Sequence, residues 1–533
     1  IGSLAAGNTL RGLNADSTYT FARIFDASAG EYVDLYTLTV NGVTLVFENY
    51  QRLIAGSGDD TFSFVNNGSF TGSIDGGLGN NWLDYALYGS VDVTAGVTVN
   101  LAQGLIPGLN GTLTGVNNVI GTPYNDTIIG NDRDNIIVGG KGNDHLEGLG
   151  GYNTYIFEED WGEDTVINSS GRGTLDFSGL NQGLTINLQN GQDSQNISTI
   201  IANNGKVTFS GINRIQTGDG DNEYNISGSH KLDLVGGSGN DTFNFLGLST
   251  VDGLIDGGEG YNILNYSAYD TAVDFNLELR KATGLAGFRN IQEFVGSAFS
   301  DTITGSNSKN RFTLTGENTG EISWIVNDPV AGQTINYVLK FSAVENLLGG
   351  SGDDTFAFNG NGRLTGSLDG GAGTNTLDYT EYDSGIGSGV TVNLTTGSAT
   401  GVGGTVSSIH NLFGSEFNDE LIGDEKDNVI HGNAGDDIIN GAGGNDTISG
   451  GAGNDQLYGG GGTDTFVFDE GWGQDTLHDE NASGEATGTG SYILDFSGLA
   501  SDLTVVLAKE AEEITLLITD AADWQDPAQL AGA

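Results

Sequence analysis

The chain has 533 residues and a formal net charge of −52, because 70 Asp and Glu residues are balanced by only 18 Lys and Arg residues. A surface this acidic repels nucleic-acid phosphates and anionic lipids, so we expect neither a nucleic-acid partner nor membrane insertion. The absence of cysteine excludes disulfides and thiolate metal sites. With 89 glycines and 37% hydrophobic residues, the composition favours a repetitive solenoid with a thin axial core over a globular fold.

Alternating polar and apolar residues predict β-strands near the N-terminus and again roughly 300 residues later. The first set comprises YTFARIF (19–25) and YTLTVNGVTLVF (36–47). The second set comprises EISWIV (321–326) and INYVLKF (335–341). The recurrence indicates a tandem period of roughly 300 residues, and we expect the chain to be one part of a longer array.

A glycine-rich turn with aspartate at its sixth position occurs in three related copies, AGSGDDTFSF, GGSGNDTFNF and GGSGDDTFAF. These copies place Asp60, Asp241 and Asp354 at that position. An asparagine follows each acid 21 residues later, and each copy then returns to another glycine-opened turn, at Asp126, Asp301 and Asp419. We predict supermodules of coils about 20 residues long. The predicted divisions are residues 1–163, 164–306, 307–474 and 475–533, the last being a partial module or a cap.

The first run of nine-residue units spans residues 121–156 and consists of GTPYNDTII, GNDRDNIIV, GGKGNDHLE and GLGGYNTYI. Its sixth position alternates between aspartate (Asp126, Asp144) and asparagine (Asn135, Asn153). If two units form one coil, one edge of the run carries Asp and the other carries Asn. The amide oxygen of Asn is neutral, so we expect weak or no cation binding on that edge.

The main run spans residues 414–467 as six units, GSEFNDELI, GDEKDNVIH, GNAGDDIIN, GAGGNDTIS, GGAGNDQLY and GGGGTDTFV. Every unit opens with glycine, and the eighth residue is always apolar. The sixth residues are Asp419, Asn428, Asp437, Asp446, Asp455 and Asp464. The in-phase apolar residues argue against a disordered glycine-rich linker, which carries no periodic core residue.

Such a unit suits a calcium-binding turn followed by a very short strand. Clustered glycines allow positive φ angles and carbonyls that point into the turn, and aspartate adds a hard anionic oxygen that suits Ca²⁺. With two units per coil, we predict that Asp419, Asp437 and Asp455 share one edge, and that Asn428, Asp446 and Asp464 share the other. The predicted calcium ligands are Asp60, Asp126, Asp144, Asp241, Asp301, Asp354, Asp419, Asp437, Asp446, Asp455 and Asp464, with Gly432, Gly435, Gly441, Gly444, Gly450, Gly453, Gly459 and Gly462.

This pattern resembles the RTX (hemolysin-type) family of calcium-binding repeats. The resemblance implies an all-β chain folded as a right-handed parallel β-solenoid, of the β-roll or β-helix kind, with several calcium ions in its turns. It also implies a secreted, extracellular or surface-displayed bacterial protein, exported unfolded by a type I system.

We expect a structural function, as an adhesin stalk, a filament or a surface-layer building block that folds on meeting extracellular calcium. Other copies of the chain and cell-surface glycans remain alternative partners. We expect no catalysis, since no HExxH and no GxSxG motif occurs. The alternative is a polysaccharide lyase or epimerase on a β-helix, with His410 and His431 sharing a face with Glu381 or Tyr382.

Aromatic residues recur as YxxY pairs in three copies, YALY (85–88), YSAY (266–269) and YTEY (379–382). We expect the first tyrosine of each pair to stack inside the solenoid. The second tyrosine is a weaker candidate for exposed glycan stacking.

Overall fold

The computed structural model describes residues 8–89, 95–189, 198–202, 205–328, 333–383, 385, 387–478 and 491–499, and the backbone of 503–510 and 513–520. These residues form strands, turns and bends without any helix, so the all-β prediction is confirmed. Accordingly, none of the residues in these ranges forms a helix that could cross a membrane.

The chain divides into two compact units. The first comprises Ile1–Phe275 and Leu279–Phe299, and the second comprises Asn276–Glu278 and Ser300–Ala533. The four-segment division made from the repeats concerns copies of a sequence motif and stays a prediction.

The strands of the first unit are mostly three to ten residues long. In chain order, with the strand Asp274–Asn276 that ends in the second unit, they are Thr9–Arg11, Ser17–Asp26, Glu31–Val40, Val43–Phe47, Arg52–Ile54, Thr61–Val65, Ser73–Asp75, Trp82–Asp84, Thr98–Asn100, Leu113–Thr114, Asn118–Ile120, Thr127–Ile129, Ile136–Val138, His145–Gly148, Tyr152–Ile156, Gly162–Asn168, Arg172–Asp176, Thr185–Leu188, Ser198–Ala202, Gly205–Ser210, Ile212–Gln216, Glu223–His230, Asp233–Val235, Thr242–Asp256, Ile263–Tyr269, Asp274–Asn276, Lys281–Ala282, Leu285–Arg289 and Glu293–Val295.

The strands of the second unit have the same character. In chain order they are Thr302–Thr304, Asn310–Gly316, Thr319–Asp328, Gln333–Ser342, Asn346–Leu348, Thr355–Phe358, Leu368–Asp369, Thr376–Asp378, Thr391–Asn393, Ser398–Ala399, Val406–Ser407, Asn411–Phe413, Glu420–Ile422, Val429–Ala434, Ile438–Asn440, Thr447–Ala452, Gln456–Tyr458, Thr463–Val467, Thr476–His478, Ser491–Asp495, Leu503–Glu510 and Glu513–Asp520. The last two form an antiparallel pair.

Strands in both nonapeptide runs pair in parallel with the strand two units further along the chain. In the first run Ile128 pairs with Leu146. In the main run Ile430 pairs with Ile448, and Ile439 with Leu457. Each pair joins the eighth residues of two units that have one unit between them, so the predicted register of two units per coil is confirmed. We call a coil of two such units, or the equivalent coil elsewhere in the chain, a repeat.

Outside the runs the spacing differs from the predicted coils of about 20 residues. Some paired residues are separated by about the predicted length, as Phe62 and Leu83 are. Tyr19, however, pairs with Phe62, which lies 43 residues later in the chain. We call the separation between paired residues the step. The longer step contains the antiparallel strands Glu31–Val40 and Val43–Phe47. The strands predicted at 19–25 and 36–47 therefore belong to antiparallel hairpins, whose strands at 31–47 are inserted between two paired strands of the parallel sheet. We call such an insertion a hairpin excursion, and it lengthens the step.

The core is a line of apolar side chains contributed by successive strands. The eighth residues of all six units of the main run are completely buried, namely Leu421, Ile430, Ile439, Ile448, Leu457 and Phe466. Each such side chain contributes about 1.5–3 kcal/mol through burial. The apolar position of the nine-residue unit is thus the position that stacks the strands.

The YxxY pairs also lie against the core. Tyr85 and Tyr266 are fully buried and stack on a phenylalanine of the preceding strand, for example Tyr85 on Phe64 with centroids 5.3 Å apart. The second tyrosine packs edge-on against the first, and Tyr269 is only 5% exposed. The prediction that the second tyrosine is exposed for glycan stacking is therefore wrong for Tyr269, because its ring is enclosed.

Candidate metal centres in the glycine-rich turns

The turn that precedes each short strand of the main run depends on glycine at two places. The fourth-position glycines Gly435, Gly444, Gly453 and Gly462 have φ angles of +123°, +101°, +150° and +123°. These values favour glycine, which lacks a Cβ. At the first position the reason is space, because a Cβ on Gly432 would lie 2.2 Å from Asp437 Oδ2. The same contact would be 2.1 Å at Gly441, 2.0 Å at Gly450 and 2.4 Å at Gly459.

The sixth residue of each unit is buried and hydrogen-bonded to the preceding repeat. Asp437 Oδ1 accepts the backbone N–H of Asp419 at 2.7 Å, and Asp455 Oδ1 accepts that of Asp437 at 2.8 Å. On the other edge Asp446 and Asp464 continue the same pattern, the latter accepting the N–H of Asp446 at 2.9 Å. These two rows, which together we call the inner ladder, confirm the predicted division of the sixth residues between two edges.

The second carboxylate oxygen of most of these aspartates has no donor. Oδ2 is enclosed and without a hydrogen bond in nine aspartates, which we call the open aspartates: Asp60, Asp144, Asp241, Asp354, Asp437, Asp446, Asp455, Asp464 and Asp475. None of the nine forms an ion pair with any described residue. Burying a carboxylate oxygen without a partner costs free energy, so a positive charge next to each open aspartate would stabilise the fold.

Burial and neighbouring acids disfavour the charged form of these side chains. Burial raises the pKa of Asp437 to about 8, and repulsion from Asp419 and Asp455 adds to the rise. Burial likewise raises the pKa of Asp446 to about 8, with repulsion from Asp464 adding to it. Keeping these carboxylates charged in the folded chain is therefore costly near neutral pH, and a bound cation would offset that cost.

The residues around the open oxygens fit a hard cation. The position that a Cβ on Gly432 would occupy lies 2.2 Å from Asp437 Oδ2 and 2.3 Å from the Gly450 carbonyl oxygen. At Gly441 the corresponding atoms are Asp446 Oδ2 and the Gly459 carbonyl oxygen, at 2.1 and 2.6 Å. No group of three or more His, Cys, Asp or Glu side chains forms a metal cluster among the described residues. Backbone carbonyls would therefore supply most ligands, an oxygen set that Ca²⁺ accepts.

Two of the predicted ligands that are not open aspartates have donors on both carboxylate oxygens. Asp419 accepts the N–H of Ser415 on Oδ2, and the Ser415 hydroxyl and the N–H of Val390 on Oδ1. Asp126 has equivalent donors from Thr122 and Val97. A hydroxyl residue in the second position of the unit thus satisfies the carboxylate from within its own turn.

A model of the RTX calcium-binding nonapeptide repeat matches in four copies, at residues 120–155, 413–448 and 440–477. The chain carries RTX calcium-binding repeats. No curated protein matches the chain. The matched ranges contain residues 121–155 of the first nonapeptide run and all of the main run, and calcium is therefore the cation that the family assigns to these turns.

The third RTX match extends past the last predicted unit and includes an open aspartate that the sequence analysis missed. Asp475 Oδ1 accepts the N–H of Asp455 at 3.1 Å, continuing the inner ladder after 20 residues, a longer step than the two units that separate Asp437 from Asp455. Asp164 holds the same place directly after the first run, where it accepts the N–H of Asp144. The sequence signal that could have identified Asp475 and Asp164 was the Gly-x-Asp spacing of the nine-residue unit. Gly473 and Gly162 have positive φ angles of +80° and +90°, as the fourth-position glycines of the main run do.

A second ladder, which the sequence did not predict, is formed by the fifth residue of most RTX units. Its side-chain oxygen accepts a backbone N–H of the following repeat, as Asp436 Oδ1 does from Asn454 at 2.8 Å. Asp427 does the same toward Asn445. We call this exposed row the outer ladder. The recurring Asn or Asp before the buried acid was its visible signal.

Among the other predicted residues, Asp301 is completely buried, and its N–H donates to Glu345 Oε2 at 2.8 Å.

The prediction that His410 and His431 share a face is wrong, because the two histidines are not paired in the register of the strands. His431 pairs with Phe413, because the step here is two nine-residue units, which is shorter than the separation of the two histidines. Burial lowers the pKa of His431, and its ring packs edge-on against Phe413.

Proposed function

We propose that this chain is a structural segment of a secreted or cell-surface bacterial protein, folded as a right-handed parallel β-solenoid that calcium completes. Its role is that of an adhesin stalk, a filament or a surface-layer building block. The observation that carries the proposal is the set of open aspartates. Their buried, unpartnered Oδ2 atoms recur at one position of a periodic structure.

The solenoid is supported by the register of the two RTX runs. Parallel pairing at a constant step of two units, on both edges, stacks equivalent turns directly above one another. Stacked turns bring the carbonyls of one repeat next to the carboxylate of its neighbour, as found for Gly450 and Asp437. Cations held between such turns would be shared by successive repeats.

Folding on contact with calcium follows from charge and backbone entropy. Without a cation the open carboxylates face carbonyl oxygens, the chain carries a net charge of −52, and its 89 glycines lose much conformational freedom on folding. Bound calcium would supply positive charge to the carboxylate and carbonyl oxygens. Extracellular modules bind calcium with dissociation constants of about 10⁻⁴–10⁻³ M, so a calcium-poor cytosol keeps the chain unfolded for type I export.

Catalysis has no comparable support. The two histidines considered for a lyase or epimerase are not register partners, and His431 is packed against Phe413. The 18 Lys and Arg residues are dispersed, whereas a uronate polymer needs a basic groove. We therefore propose a non-enzymatic role for this segment.

The proposal is tested by circular dichroism of the chain in chelator and during calcium titration. We expect a largely disordered spectrum in chelator and a cooperative rise of β signal at millimolar calcium. Magnesium should substitute poorly, because it dehydrates reluctantly and requires a tighter octahedron. A chain that is fully folded and equally heat-stable in chelator would contradict the proposal.

A further inference from the structure

Asparagine replaces aspartate at the sixth position of many turns in both units. These asparagines are at most 3% exposed, and they are Asn81, Asn135, Asn153, Asn222, Asn262, Asn310, Asn375 and Asn428. In several of them Oδ1 fills the same place in the inner ladder as an aspartate oxygen does. Asn262 Oδ1, for example, accepts the N–H of Asp241 at 2.9 Å. The two residue types therefore differ mainly in the second terminal atom, Nδ2 in Asn and Oδ2 in Asp.

The consecutive turns that contain Asp241 and Asn262 show what this difference does. Asn262 Nδ2 donates to the carbonyl oxygens of Glu259 and Asn290, both at 3.1 Å. Asp241 is completely buried, and its Oδ2 has no partner. An amide group brings two donors, whereas a carboxylate brings only acceptors.

The Nδ2 atom of Asn and the Oδ2 atom of Asp occupy equivalent positions. A Cβ on Gly257 would lie 2.6 Å from Asn262 Nδ2 and 2.2 Å from the Asn290 carbonyl oxygen. A Cβ on Gly236 would lie 2.1 Å from Asp241 Oδ2 and 2.6 Å from the Gly257 carbonyl oxygen. Each terminal atom thus lies beside a carbonyl of the next repeat. The amide bonds to that carbonyl, whereas the carboxylate oxygen can only repel it.

The same arrangement recurs in the other two copies of the supermodule. Asn81 Nδ2 donates to the carbonyls of Gly76 and Gly115, both at 2.8 Å. Asn375 Nδ2 donates to the carbonyl of Ser408 at 2.9 Å. In all three copies an open aspartate is followed, one repeat later, by an asparagine whose amide joins two repeats.

We propose that asparagine at the sixth position makes a turn that closes without calcium, because its Nδ2 amide bonds to carbonyls that would otherwise ligate the ion. The sixth residue thereby determines whether a turn takes a cation. In the folded chain a turn with Asn needs no cation of its own, whereas a turn with an open aspartate closes only when calcium is present. This inference rests on the proposed calcium function and assigns the turns to two classes.

The first test exchanges the residue type in an open turn. Asp437→Asn should bind fewer calcium ions than the wild type, while the calcium midpoint of folding, followed by circular dichroism, stays the same or falls. Asp437→Ala should also lose ions, but its midpoint should rise at least twofold, because alanine provides neither a ligand nor an amide. Equilibrium dialysis counts the ions. An Asp437→Asn variant that behaves like Asp437→Ala would overturn the proposal.

The second test creates a cation site. Asn262→Asp should bind at least one additional calcium ion and raise the calcium midpoint at least twofold, since the new carboxylate faces carbonyls. The control Asn14→Asp adds the same charge at an exposed residue and should change neither quantity. An Asn262→Asp variant that stays unfolded at saturating calcium, or binds no additional ion, would contradict the proposal.

Failure of the proposed function gives a different result. In that case the wild type is folded in chelator and does not respond to calcium. The asparagine proposal is then decided by melting temperature in chelator. Asn262→Asp must lower it clearly more than Asn14→Asp does, and an equal effect of the two substitutions would overturn the proposal.

Discussion

The need of a turn aspartate for a cation is set by the donors around its carboxylate. Asp437 has one donor, the N–H of Asp419, and its Oδ2 remains open. Asp419 lies two units earlier in the same ladder, yet Ser415 and Val390 supply donors to both of its oxygens. Two aspartates in the same register thus differ in their hydrogen-bond donors, and only Asp437 has an oxygen left for a cation.

The pair provides a matched comparison. Asp437→Ala should reduce the number of bound calcium ions and raise the calcium midpoint of folding. Asp419→Ala should lower the free energy of unfolding at saturating calcium by about 1–3 kcal/mol, because buried donors lose a charged acceptor. It should leave the ion count unchanged. Equilibrium dialysis and urea unfolding measure the two quantities, and equal ion loss in both variants would contradict this distinction.

The raised pKa values of the open aspartates predict how pH affects the chain. In the metal-free folded state the pKa of Asp437 is about 8, and in the unfolded chain a carboxyl titrates near about 3.9. Between these values the folded state binds more protons, so its stability is greatest near the lower pH and is lost as the pH rises toward 8.

Acidification in chelator should therefore increase β structure, and a circular-dichroism titration from pH 8 to pH 5 would show it. In the presence of calcium the effect is reversed, because protons compete for the same oxygens and raise the calcium midpoint. Asp437→Asn combined with Asp446→Asn should weaken both pH effects. A pH-independent spectrum in chelator would show that these carboxyls do not control folding.

At the scale of the repeat unit, two rows of side-chain hydrogen bonds join neighbouring turns. The inner ladder runs backward, with Asp437 accepting from Asp419, and the outer ladder runs forward, with Asp436 accepting from Asn454. Adjacent residues thus clamp a turn to the repeat before it and to the repeat after it.

The outer ladder predicts a contrast between two substitutions. Asp436→Ala should lower the free energy of unfolding by about 0.5–1.5 kcal/mol, because the N–H of Asn454 loses its acceptor. Asp436→Asn keeps an oxygen acceptor and should be close to neutral. Neither should change the number of calcium ions, since the side chain is exposed. Urea unfolding at saturating calcium measures the difference, and equal destabilisation would show that the charge matters and not the bond.

The sequence predicts the repeat unit well where its period is regular. Glycine in the first place, the buried sixth residue, the apolar eighth residue and the register of two units per repeat all follow from local patterns in residues 414–467. Hydrogen bonds between repeats were not predictable in this way. Whether Oδ2 of Asp419 is open depends on Ser415, and the amide of Asn262 acts on Asn290 in the next repeat.

At the scale of the whole molecule, irregular steps limit prediction from sequence. Hairpin excursions separate Tyr19 from Phe62 and Phe312 from Phe356, pairs that are neighbours in the sheet but 43 and 44 residues apart in the chain. A constant period cannot reveal such pairs. The copies of the turn and of the YxxY motif still gave the order of the elements, because each copy supplies the same core positions.

On the proposed function, calcium completes the turns of the main RTX run. Amide hydrogen exchange, measured by mass spectrometry in chelator and at saturating calcium, tests it most directly. The N–H groups of Asn428, Asp437 and Asp446 donate to carboxylates of the inner ladder. We predict that calcium slows the exchange of these three N–H groups at least tenfold. Strong protection of residues 414–467 in chelator, unchanged by calcium, would contradict the account.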